Sequence, residues 1–211
     1  MGISAPRKLE RGMYEVVNNG FLGERHSLAD KQGNAMTDLQ YPIGKLQRKA
    51  TLSSEDRFQL IQQIADAPMR LREAVAHLSS EQLDTPHRPG GWTVRQVVHH
   101  LPDSHMNAYV RMKLAVTEPQ PPVKPYSEKL WAELSDARYS PVEPSLMLLE
   151  SLHRRWVVFL QSLEPELFLR TVVHPDHGMI SIDFLLQLYG WHGRHHVAQI
   201  TNLRERMGWD Q

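Results

Sequence analysis

The sequence predicts an all-α protein, a four-helix bundle with a long Pro-rich crossover and a small β-hairpin before the last helix. Three observations carry this. Four long segments place apolar residues at helical spacing. One connection between them holds four prolines in nine residues, from Thr117 to Pro125, and must cross the surface without helix. A length of 211 residues suits one domain with a sizeable core.

Taken in order, residues 1–36 are polar and Gly-rich and lack sustained periodicity, which predicts a flexible N-terminal extension ahead of a bundle domain at 37–211. Met36 is a candidate natural start. The rival reading is an ordered arm that docks Met13–Val17 and Phe21–Leu22 on a neighbour. An extended segment from Tyr41 leads to Ser53 and Ser54, good caps before Glu55 and Asp56 in a first helical turn. Phe58, Ile61, Ile64, Leu71, Val75 and Leu78 then mark the first helix, with Pro68 inside it as a kink. The stretch 80–91 is a loop with at most one short turn of helix. Thr93 caps a second helix from about Val94 to Val116. A short helix near Glu128–Leu134 follows the crossover. Pro144 suits a first helical turn, and Leu146, Leu149, Leu152, Trp156, Phe159 and Leu163 mark the third long helix. A hairpin turning at Pro175–Gly178 precedes the fourth, Ile182 to about Arg206.

Composition removes whole classes of function. Basic and acidic residues balance at 24 each, and no basic stripe is present, so neither nucleic acid nor a membrane surface is predicted as partner. With no Cys there is no disulfide, no cysteine-type zinc finger and no cysteine nucleophile. No apolar run reaches the ~18 residues of a membrane span, and no signal-peptide pattern opens the chain. A cytoplasmic location is expected. P-loop, dinucleotide and Gly-x-Ser-x-Gly signatures are missing.

The chemistry-bearing residues cluster in the second and last helices. Leu185, Tyr189, His192, His196, Ile200 and Leu203 share one helical stripe, so both imidazoles point toward the core. The chain has one His pair at separation four, about what 12 histidines in 211 positions give by chance, so position rather than spacing is the informative feature. A buried imidazole needs a partner for each ring nitrogen, and a metal on one with an acceptor on the other meets that need. The second helix offers His99 and His100, about 100° apart around the axis, and spacing alone does not choose between them. From His100, Asp103, Ser104, Asn107 and Arg111 continue one polar stripe. Asp103 is the candidate catalytic carboxylate, and Tyr189 and Arg111 are packing residues with a possible substrate contact. His26 falls in the extension. His77 and His153 read as surface or satisfied positions, and His87, His174 and His177 as loop residues. The five tryptophans read as core or interface anchors, with Trp191 a candidate pocket wall.

The run Gly90-Gly91-Trp92-Thr93-Val94-Arg95-Gln96-Val97-Val98-His99-His100-Leu101, followed by Asp103-Ser104-His105-Met106-Asn107, resembles the YfiT group of the DinB-like superfamily. The resemblance continues through Val123–Tyr126, Leu152–Trp156, His174-Pro175, Tyr189–His192, His195-His196 and Met207–Trp209, and so covers roughly Leu39 to Trp209. It implies a four-helix bundle whose three metal-binding histidines are His100, His192 and His196. It implies a metal-dependent hydrolase with zinc or nickel, one ion per chain, often a homodimer. Wider relatives imply an alternative, transfer of a low-molecular-weight thiol such as bacillithiol to a small-molecule substrate. A non-catalytic metal-binding stress protein is a further alternative.

Three neutral imidazoles around a divalent ion leave an open position, the pattern of catalytic rather than structural zinc. Nitrogen ligands suit several metals, so they do not select among them. One departure from the family pattern stands at Pro102, where relatives carry a helix-compatible residue. Its ring removes the bond to the Val98 carbonyl and is expected to bend the second helix between His100 and Asp103.

Overall fold

The computed structural model describes residues 39–209. The extension predicted for 1–36 lies outside the described residues. Four long helices form the bundle: α1 (Ser54–Val75), α3 (Val94–Thr117), α6 (Glu143–Gln161) and α7 (Ile182–Met207). Between them lie the short helices α2 (Ser80–Leu83), α4 (Glu128–Ala132) and α5 (Ser135–Tyr139), a 3₁₀ turn at Pro165–Leu169, and a hairpin of β1 (Thr171–His174) and β2 (Gly178–Ser181).

Helix starts follow from side-chain caps. Ser53 accepts from the Asp56 backbone N–H while the Asp56 carboxylate accepts from Ser53, and Thr93 and Gln96 repeat this reciprocal box at α3. Ser181 caps α7, whose far end closes on Gly208 at φ +65°, a conformation glycine adopts without steric cost. The first helix stops at Val75, short of the predicted Leu78, because His77 takes a left-handed φ of +63°. Arg204 from α7 then donates to the freed carbonyls of Ala74 and Ala76. The short helix predicted near Glu128–Leu134 is α4, and a second short helix that was not predicted, α5, follows it. Their shared junction packs on α3, where Gln96 donates to the Ala132 carbonyl at 2.7 Å.

The Pro-rich crossover does more than cross the surface. Val123 N–H donates to the Val173 carbonyl at 3.0 Å, and Val173 N–H donates to the Pro121 carbonyl at 2.9 Å, tying the crossover to β1. Prolines lack a ladder donor, so they suit such an edge, where only one of each pair need give an N–H. Arg170, just before β1, donates to the carbonyls of Ala115 and Glu118 at the end of α3.

The order of packing matters for the site. Both α6 and α7 pack against α1 and against α3, so α1 faces α3 across one diagonal and α6 faces α7 across the other. The last helix is therefore wedged between α1 and α3. Its approach to α1 is close: a Cβ at Gly193 would lie 3.0 Å from the Ala67 methyl. One end of the interior is apolar, formed by Leu71, Val75, Val94, Val98, Leu149 and Ile200. Pro102 does not interrupt α3, which runs unbroken from Val94 to Thr117.

Arg57 of α1 makes a paired contact with Asp183 in the first turn of α7, both bonds 2.9 Å, and both side chains are nearly buried. The carboxylate also faces the positive end of the helix dipole. Asp183→Asn is expected to lower stability by about 2 kcal/mol, since charged hydrogen bonds at partly buried sites contribute on that order. Urea denaturation checks this; an unchanged midpoint would remove the pair from the forces that seat α7.

Candidate metal centre

Two turns of α7 and one of α3 meet in the interior. His100, His192 and His196 are all buried, and one ring nitrogen from each lies within 4.8 Å of the others. The Nε2 atoms of His100 and His192 are 3.3 Å apart. Two bare lone pairs do not rest at that separation; either a proton or a cation must lie between them.

His196 gives the sharpest test of whether a cation fits. Its Nδ1 lies 2.9 Å from Gln199 Oε1, which can only accept, so Nδ1 carries the proton. The carboxamide orientation is itself fixed, because Gln199 Nε2 donates to the Gln40 carbonyl and to His195 Nε2. His196 Nε2 is then a lone pair, buried and without a partner among the described residues. An unpartnered buried acceptor costs about 1–3 kcal/mol. A metal at that nitrogen relieves the cost, and neutral imidazole nitrogen is a proper donor for zinc, nickel or iron.

Of His99 and His100, it is His100 whose ring turns into the cluster. His99 turns outward to α6, with Nδ1 at 2.7 Å from Ser145 Oγ and Nε2 at 3.2 Å from the Ser140 carbonyl. Both its nitrogens are occupied. His195 is likewise turned aside, its ring stacked on Trp191 at 4.4 Å and its Nε2 receiving the Gln199 amide. Trp92 lies against His100 at 4.7 Å and stacks more loosely on His196.

Behind His192 stands a row of further histidines. His192 Nδ1 is 3.0 Å from His105 Nε2, His105 Nδ1 is 2.7 Å from His153 Nε2, and His153 Nδ1 is 2.6 Å from the Ile64 carbonyl. Neither His105 nor His153 stands out as a site residue in the sequence. A signal was present: Leu101, His105, Ala108 and Met112 share one stripe of α3, and Leu149, His153, Trp156 and Leu160 one stripe of α6.

The remaining candidates scatter. Arg111 donates to the Lys124 carbonyl and anchors the crossover, and Tyr189 is buried with its hydroxyl 3.4 Å from Ser104. Trp191 donates to the Gly44 carbonyl and lines a cleft of ≈330 Å³ with Ile43, Lys49 and Gln187, away from the three histidines. Asp103 lies one turn beyond His100 on α3, half-buried. Burial, then the nearby Asp136 carboxylate, raises its pKa to about 6.

Burial also pushes the imidazoles the other way. His100 falls to about 3, and His153 and His195 to about 4, each chiefly through loss of solvent, while His105, His192 and His196 fall well below the ordinary value. All are neutral near pH 7, as ligation requires. Their unfolded value is about 6.5. The folded pKa is depressed, so the stabilisation is complete above that value and is lost as pH falls toward about 4 and then about 3. Urea midpoints of metal-free protein are therefore expected to decline steadily below about pH 6.5. Midpoints that stay flat down to about pH 4 would show that these rings are not buried neutral.

Comparison with known proteins places the chain in a family. Residues 63–200 match the DinB superfamily. A protein of Bacillus mycoides strain KBAB4 and one of Bacillus cereus strain AH820, each named "Putative metal-dependent hydrolase", are 53% identical over 174 residues, 82% of this chain and 100% of theirs. A solved structure, YfiT from Bacillus subtilis, superposes with a TM-score of 0.79 at 48% identity over 81% of this chain and 98% of that one. It is described as "a probable metal-dependent hydrolase with an unusual four-helix bundle topology". The diagonal placement of consecutive long helices found here fits that description. The chain, from its capped α3 to its paired histidines on α7, belongs to the DinB superfamily.

Proposed function

We propose that this protein is a metal-dependent hydrolase of a small-molecule substrate, with one divalent cation, zinc or nickel, held by His100, His192 and His196. The observation that carries the reading is the His196 Nε2 lone pair, buried, unpartnered and converging with two further imidazoles from α3 and α7. The names of the relatives support it. A divalent cation held by three neutral imidazoles supplies a Lewis acid of net charge +2 that activates water, or a thiol, as nucleophile.

The chain's own residues do the rest. His192 and His196 stand one helical turn apart on α7, so their spacing is fixed by the helix itself. Gln199 holds the His196 ring with its proton on the far nitrogen. Trp92 covers His100 and keeps bulk solvent from that side. Asp103 is the proposed proton acceptor: a carboxyl with a pKa of about 6 is charged at neutral pH yet basic enough to take a proton from a nucleophile. The neutral ligand set suits an incoming thiolate as well as water. Since the chain has no Cys, any such thiol comes from solution.

Elemental analysis of protein purified without a histidine tag is expected to give close to one metal per chain, lost in His100→Ala and His192→Ala. Equal metal in those variants would overturn the assignment. In an ester and amide screen, turnover independent of added thiol is expected; turnover that requires added thiol would replace hydrolysis by thiol transfer. Bound metal with no turnover under either condition would leave a metal-binding protein rather than an enzyme.

Asp103→Asn is expected to keep its metal and lose roughly 10²–10⁴ in kcat, the usual contribution of a general base. A base works deprotonated, so wild-type activity should fall as pH drops through about 6. A profile flat across that range, or a fully active Asn variant, would remove Asp103 from the reaction.

A further inference from the structure

Any hydrogen bond that ends on a carbonyl has a fixed direction, because the carbonyl can only accept. Ile64 sits in α1 four residues before Pro68, whose nitrogen has no hydrogen. The Ile64 carbonyl therefore lacks its helical donor, and His153 Nδ1 takes that place at 2.6 Å. His153 must then carry its proton on Nδ1, leaving Nε2 as a lone pair. That lone pair faces His105 Nδ1 at 2.7 Å, so His105 is protonated there and bare at Nε2. His105 Nε2 in turn faces His192 Nδ1 at 3.0 Å, so His192 carries its proton on Nδ1. Its Nε2 is left as a lone pair, aimed at His100 and His196.

The reverse arrangement is blocked. A proton on His192 Nε2 would reverse each link in turn and set the His153 Nδ1 lone pair against the Ile64 carbonyl at 2.6 Å. A charged ring could break the sequence, but burial disfavours it for all three histidines. His105 and His153 are 0% and 1% exposed, so both rings sit almost wholly out of bulk solvent.

We propose that His105 and His153 are positioning residues: anchored on the carbonyl that Pro68 frees, they lock His192 in its Nδ1–H tautomer and hold its Nε2 ready for the cation. No carboxylate takes part in this relay. Its members are neutral, so it orients the ligand without offsetting the positive charge of the site, unlike a carboxylate–histidine pair.

The inference rests on the three-histidine metal reading, and two measurements separate their fates. Nitrogen NMR of histidine-labelled, metal-free protein near neutral pH is expected to show His192, His105 and His153 each protonated on Nδ1. A proton on His192 Nε2 would overturn the lock, whatever the metal does. Zinc competition against a chromophoric chelator is expected to show roughly 10–100-fold weaker binding in His153→Leu, the usual cost of losing a partner behind a ligand. Binding within about twofold of wild type in a folded variant would overturn it too. If the wild type binds no zinc or nickel, the metal reading fails while the NMR result still decides the relay. The NMR experiment uses wild-type protein, so the test survives a variant that does not fold.

Discussion

Burying a neutral imidazole obliges the fold to answer for two nitrogens, one donor and one acceptor, with no water to fill either role. The interior of this bundle faces that obligation five times over, at His100, His105, His153, His192 and His196. Four of them are connected: a row of hydrogen bonds runs from Ile64 through His153, His105 and His192 to the His100 ring. The fifth, His196, is held on one nitrogen by Gln199 and unmet on the other. The account of function grows from that unmet nitrogen, since among the described residues it alone of the unpartnered buried ring nitrogens belongs to the cluster of three converging imidazoles.

The topology serves the same end. An up-and-down bundle would set consecutive helices side by side. Here α7 lies between α1 and α3, and the Gly193–Ala67 approach lets it come near α1. That wedge brings His192 and His196 to His100 on one flank while the α6 residue His153 reaches α1 across the other. Capping boxes, the Arg57–Asp183 contact and the Arg204 bonds to α1 hold the helix ends in register, so the rings are set by rigid elements rather than loops.

Much of this was legible in the residues. Ser53, Thr93 and Pro144 marked helix starts, and the proline run marked the crossover, because those residues act through local backbone chemistry. The stop at His77 and the additional short helix α5, which packs on α3, depend on contacts with other segments, which periodicity does not report. At the site, the helical spacing of His192 and His196 pointed inward, but His99 and His100 could be told apart only by which neighbour each ring reaches. His153 read as a surface or satisfied position although it sits on the Leu149–Trp156 stripe; its role needs Ile64, 89 residues away, and the missing hydrogen of Pro68. Pro102, expected to bend α3 between His100 and Asp103, leaves the helix continuous, with His100 Nε2 3.3 Å from His192 Nε2.

The most direct test of the central claim is anomalous diffraction from crystals of the metal-loaded protein, recorded on either side of the metal absorption edge. The account requires a single peak about 2.0–2.1 Å from the Nε2 atoms of His100, His192 and His196. A peak elsewhere, or one that His99 or His195 ligates in place of these, would contradict it.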